Sequence, residues 1–145
     1  DILYPNNFAK KLLRLHAKKP NSIVGVHGSI IQKPFISWNK DRKIIWFGRR
    51  LLKAKQVDVI ATCGCVFDPK RLVINPLEWP DNYKNTVDLY FALLARQQRL
   101  DAWVVPRPKN WMRELEHQQV DSITYSLLKD DSTHNTLVNE YLGVA

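Results

Sequence analysis

Apolar residues at Phe8, Leu12 and Leu15 recur at helical spacing, with Lys10, Lys11, Arg14, Lys18 and Lys19 between them. This pattern predicts an amphipathic helix with one buried stripe. Pro5 stands near its start, where a missing N–H costs nothing, and "PNS" at 20–22 ends it. "SIVGVHGSII" is a nearly continuous apolar run with two glycines, which predicts one strand. Residues 32–43 read as a loop with aromatic content, followed by a short strand at 44–47 and a short basic helix. "VDVIATCGCVF" predicts a further strand with small residues at its tip, and residues 68–82, with three prolines, a turn-rich connection.

The period then returns to that of a helix. Over residues 85–99, Asp88, Phe91, Ala92 and Ala95 share one face, and "DAWVVP" at 101–106 follows as a strand. "NWMRELEHQ" reads as a short helix. "STHNTLVNEYLG" reads as a closing helix capped by Ser132 and stopped by Gly143. Alternating strands and helices predict an α/β fold, and residues 1–145 read as a single domain without repeats. Ligands of such sheets gather at the carboxyl ends of the strands. That draws attention to "HGS" at 27–29, "TCGC" at 62–65 and the turn before Asp88.

Composition narrows the class. The chain has 145 residues, 45% hydrophobic and 25% charged, values of a globular domain rather than a disordered one. No apolar run approaches the roughly 18 residues that span a bilayer, and no leader pattern opens the chain. It begins on Asp1 rather than Met, as a fragment or processed product would. Twenty-two basic residues against 14 acidic ones give a net charge of +8, which favours an anionic partner or, more blandly, a solvated basic face. Cys63 and Cys65 point to opposite sides of a strand, so they read as buried, reduced thiols rather than a disulfide or zinc site.

Asp88 is the leading candidate for chemistry. A carboxylate in the first turn of a helix is favoured by the helix dipole, the commoner structural role, and one that faces inward at a cleft mouth suits a general base. Both readings stay open, as they do for the others. His27 and Gly28 suit a hydroxyl or phosphate contact, or a structural turn. Trp111, after "PRPKN", suits a sugar-stacking platform or core filling, with Arg107 and Lys109 as anion contacts. Asp1 suits a metal only with a second oxygen ligand. His16 and His134 read as surface residues, and His117 has no supporting context. No helix-turn-helix or finger spacing points to nucleic acid.

In order, "DILYPNNFAKKLL", "VGVHGSII", "VDVIATCGCVF", "VDLYFALLARQQRL" and "VVPRPKNW" resemble the second half of bacterial family-2-type glycosyltransferases of the GT-A fold, as found in capsule and lipopolysaccharide biosynthesis. The likeness runs from Asp1 to about Leu137. It implies a partial GT-A-like layered sheet with flanking helices, acting on a nucleotide-sugar donor and a saccharide or lipid-linked acceptor. It implies Asp1 as a ligand of Mn²⁺ or Mg²⁺, Asp88 as the base that deprotonates the acceptor, and His27, Gly28, Thr62, Gly64, Arg107 and Trp111 along the cleft. Where such enzymes tend to read Gly-Thr-Gly, this chain has Ala61-Thr62-Cys63, with the glycine moved to Gly64. The nucleotide-binding half of such enzymes precedes the position of Asp1, so the resemblance also implies an N-terminal half or self-association. It implies a cytoplasmic site of action, including the inner face of the membrane. The alternative is a non-catalytic basic module for anionic polysaccharide or nucleic acid.

Overall fold

A computed structural model describes residues 2–75, 86–115 and 130–144. Among them the fold is mixed α/β, with three helices and three small sheets. The elements are β1 (Ile2–Leu3), α1 (Phe8–Lys18), β2 (Ser22–Gly25), β3 (Gly28–Ile31), β4 (Arg42–Ile45), β5 (Lys55–Val57), β6 (Val59–Ile60), β7 (Cys65–Val66), α2 (Val87–Gln97), β8 (Asp101–Val104), β9 (Arg113–Glu114) and α3 (Ser132–Leu142). The largest sheet runs β5-β8-β2-β7, a second runs β4-β3-β6, and β1 pairs with β9. Only β2 and β8 are parallel.

Every residue of β2 is buried, because a helix covers each face. Val24 packs with Leu12 of α1, Phe47, Val105 and Met112. Ile23 packs with Phe91 and Ala95 of α2, Ile60 and Leu72. A strand buried on both sides reads as an unbroken apolar run, which is why "SIVGV" shows no alternation. A third cluster joins α2 to α3 through Leu89, Ala92, Leu93, Leu137, Val138 and Tyr141, with Trp38 and Val59 against it.

The predicted single strand at 22–31 is two strands in two sheets. The chain leaves the first sheet after Gly25 and enters the second at Gly28. A matching break at Asp58 separates β5 from β6. Asp58 seals this corner: its N–H donates to the Ser29 carbonyl at 2.9 Å, and its Oδ2 accepts from the Ile31 N–H at 2.8 Å. Gly28 is required there by space. A Cβ on it would lie 2.5 Å from the Val59 carbonyl oxygen.

Other expectations also shift. The strand expected at 44–47 spans Arg42–Ile45, and the basic helix after it does not form. Leu51 instead exchanges both main-chain hydrogen bonds with Arg107, at 2.9 and 2.8 Å, which commits its backbone to an extended pairing. The strand expected at 57–67 is interrupted by a turn at 62–64. The short helix expected from residue 110 is, as far as Leu115, a turn leading into β9. The closing helix ends as expected, with Gly143 in the left-handed region at φ 74°, but its cap position is Asp131 rather than Ser132.

Replacing Gly28 with alanine forces Val59 or the corner to move. Overpacking of this kind costs about 1–3 kcal/mol, and the expected result is a lower denaturation midpoint with an unchanged slope in urea.

Candidate functional site

Asp88 occupies the first turn of α2, where a helix leaves backbone donors without intrahelical partners. Its face-mates Phe91, Ala92 and Ala95 are buried, while Asp88 itself is only half-buried. The inward stripe thus begins just outside the core. One carboxylate oxygen, Oδ1, accepts two hydrogen bonds from Thr62, from its N–H and its hydroxyl, both 2.8 Å long. Oδ2 accepts none from the described residues. Thr62 is held from behind, since the Ala61 N–H donates to the His27 carbonyl at 2.9 Å. The carboxylate is therefore oriented by one oxygen and presents the other.

The Asp88 charge acts on ionisable groups from four other segments. Burial pulls the His27 imidazole below its usual range; Asp88 pushes it back up, and Arg107 and Arg42 add to the lowering. Burial also lowers His134, helped by the Arg42 cation and opposed by Asp131 and Asp88. Arg42 lies with its guanidinium 4.1 Å from the centre of the Trp38 ring, and its buried Nε has no hydrogen-bond partner. Burial together with the Asp88 charge pushes the thiols of Cys63 and Cys65 up to about 11. Both are free cysteines, half-buried rather than buried as expected.

Arg42 and His134 escape a reading of the sequence. His134, expected on the surface, is buried. It shares the inward face of α3 with Leu137, Val138 and Tyr141, a spacing of three, four and seven that "HNTLVNEY" does carry. Arg42 lay in a predicted loop. That loop is ordered by two carboxylates: Asp41 accepts from the Ile36 and Ser37 N–H groups, and Asp131 accepts from the Ser37 hydroxyl and the Asn39 N–H.

The remaining predicted site residues separate. Thr62 and His27 join Asp88. Gly28 serves the corner described above. Gly64 lets the 62–64 turn approach α1, since a Cβ there would lie 2.7 Å from Cζ of Phe8. Arg107 is 3% exposed, and its Nε, Nη1 and Nη2 donate to the carbonyls of Phe47, Val105 and Trp46 at 2.8, 3.0 and 2.7 Å. Its donors are engaged within the fold, so the anion contact expected of it is replaced by a structural one. Trp111 stacks on Phe8 with centroids 6.0 Å apart, and its N–H donates to Asn7 Oδ1 at 3.1 Å. These contacts account for the ring as a buttress of α1. Asp1 and His117 lie outside the described residues. Among the described residues, no three His, Cys, Asp or Glu side chains converge to hold a metal ion.

A cavity of about 560 Å³ opens elsewhere, beside the C-terminal half of α2, between Ile23, Ile30, Asp58, Phe91, Arg96 and Tyr141. Its polar groups face one another: the Tyr141 hydroxyl donates to Asp58 at 3.4 Å, and Arg96 covers the Tyr141 ring. Neither Asp88 nor Thr62 lines it. Among the described residues no helix is long and apolar enough to cross a membrane. The chain matches no protein-family model and no curated protein.

Two outcomes follow. With thiols at about 11, about one in a thousand is ionised at pH 8, so alkylation of the native protein should be slow and still rising at pH 10. Asp88→Asn removes a charge that opposes ionisation, and should move both alkylation profiles to lower pH, as read by mass spectrometry. Arg107→Met leaves three carbonyls without their donor and should cost about 3 kcal/mol in urea unfolding. Arg107→Lys should recover only part, because an ammonium lacks the guanidinium fork.

Proposed function

We propose that this chain is the acceptor-side half of a GT-A-like glycosyltransferase, moving a sugar from a nucleotide sugar to a saccharide or lipid-linked acceptor. The single observation that supports this reading is Asp88: a half-exposed carboxylate at a helix start, held by Thr62 through one oxygen while the other accepts nothing from the described residues. A general base needs that combination of fixed orientation and a free lone pair within reach of a hydroxyl. The order of motifs in the sequence supplies the class of reaction.

In the proposed step, the acceptor hydroxyl oxygen forms a bond to the anomeric carbon of the donor. The bond from that carbon to the diphosphate breaks, its electron pair leaves with the nucleoside diphosphate, and Asp88 takes the hydroxyl proton. His27, whose neutral form burial favours, is suited to hydrogen-bond a sugar hydroxyl. The Mn²⁺ or Mg²⁺ implied by the resemblance rests on Asp1. The described residues add no cluster of ligands to it, and no step here is routed through a metal.

Asp88→Asn keeps an oxygen for the Thr62 donors and removes the base. In the enzyme completed by its nucleotide-binding half, transfer should fall by about 10²–10⁴-fold, with an unchanged unfolding midpoint and unchanged nucleoside diphosphate binding by calorimetry, measured with and without Mn²⁺. Turnover at the parent rate would remove Asp88 from this role.

A further inference from the structure

The charge of this chain is unevenly distributed. Thirteen of its 22 Lys and Arg residues fall within residues 2–57, where Asp41 is the only acid; from Asp58 onward nine cations face twelve acids. The densest part is residues 42–57, "RKIIWFGRRLLKAKQV", with six cations and no acid. In the structure this stretch is edge strand β4, the turn after it and β5.

Its apolar residues divide in a way that a core does not explain. Ile45 and Leu51 turn inward onto the cluster around Phe91. Their neighbours Ile44, Trp46 and Leu52 turn outward and are 45%, 39% and 73% exposed. The exposed cations Lys43, Arg49, Arg50, Lys53 and Lys55 flank them along the chain, Lys43 on the opposite side of β4 from Ile44. The main chain of the turn is hydrogen-bonded where it carries the tryptophan. The carbonyls of Trp46 and Phe47 are held by Arg107, and the Trp46 ring lies over Gly48, whose Cβ would sit 2.5 Å from it.

We propose that this segment docks the protein on an anionic lipid bilayer, with Ile44, Trp46 and Leu52 entering the headgroup boundary and the cations of the connecting turn, Arg49, Arg50 and Lys53, meeting lipid phosphates. An indole flanked by aliphatic side chains suits the membrane interface, and clustered cations suit an anionic leaflet. A second copy pairing along the β4 edge would set like charges against each other, which disfavours that occupant. A nucleic acid would use the cations but leave Ile44 and Leu52 without a role. The proposal goes beyond the transferase reading and does not depend on Asp88.

The test is sedimentation of the chain with vesicles of phosphatidylcholine alone and of phosphatidylcholine mixed with phosphatidylglycerol. Binding is expected only to the mixture, with Trp46 emission shifting to the blue and the shift absent in Trp46→Phe. Arg49→Glu/Arg50→Glu and, separately, Ile44→Ser/Leu52→Ser should each weaken binding by about tenfold or more. These side chains are exposed, and far-UV dichroism of each variant checks that it folds; Lys53→Glu/Lys55→Glu is the substitute for an ionic variant that does not. No sedimentation with the mixture at low salt would overturn the proposal. So would serine variants that bind as the parent does while heparin or DNA competes, which would mark a general polyanion surface. A dimer in sedimentation velocity that the serine variants disperse, with vesicle binding unchanged, would overturn it in favour of self-association.

Discussion

The architecture depends on a close approach of two backbones at one corner. Gly28 lies under the Val59 carbonyl with no room for a side chain. That contact lets β3 leave the direction of β2 and pair with β6 in a separate sheet. The turn it creates places His27 between the sheets, with its carbonyl holding Ala61. Thr62 follows directly and reaches Asp88. A wider corner would lengthen every link in that series, because packed interiors transmit displacements rather than absorb them.

The chemistry of the site comes from segments that meet only in the folded chain. Asp88 is on α2, His27 in the corner, Arg42 on an edge strand, His134 on α3, Cys63 on the turn beside Thr62 and Cys65 at the start of β7. Each is partly withdrawn from water, so charges act over longer range than they would on the surface. Asp88 is the shared anion: its charge opposes the lowering of His27 and His134 and adds to the raising of both thiols. Its fixing by Thr62 through one oxygen is what motivates the proposed role as base.

Basic residues serve three different ends here. Arg107 is spent inside, where three carbonyls of a turn need a donor and its planar fork supplies one to each. Arg42 leans on Trp38 beside the candidate site. Those around Ile44, Trp46 and Leu52 stand in solvent. Net charge alone does not separate these uses; burial does. The same holds for tryptophan, since Trp111 packs against Phe8, Trp38 is buried against α2 and α3, and Trp46 faces outward.

Much of the secondary structure was written locally. The helices at Phe8–Lys18, Val87–Gln97 and Ser132–Leu142 follow from apolar spacing, and Gly143 ends the last one because only a residue tolerant of positive φ fits there. The strand at Asp101–Val104 and the mixed α/β class follow from the same patterning. Asp88 stood out because a carboxylate interrupts an apolar stripe. Tertiary structure alone decided the breaks at His27 and Asp58, the extended path at Leu51 and the burial of Arg107. The reason is that runs buried on both faces carry no periodicity to mark where one sheet stops and another starts. It also decided that Arg42 and His134 join Asp88. Residues 42, 88 and 134 are far apart in the chain, and only the packing of α2, α3 and the 32–41 loop brings their charges together.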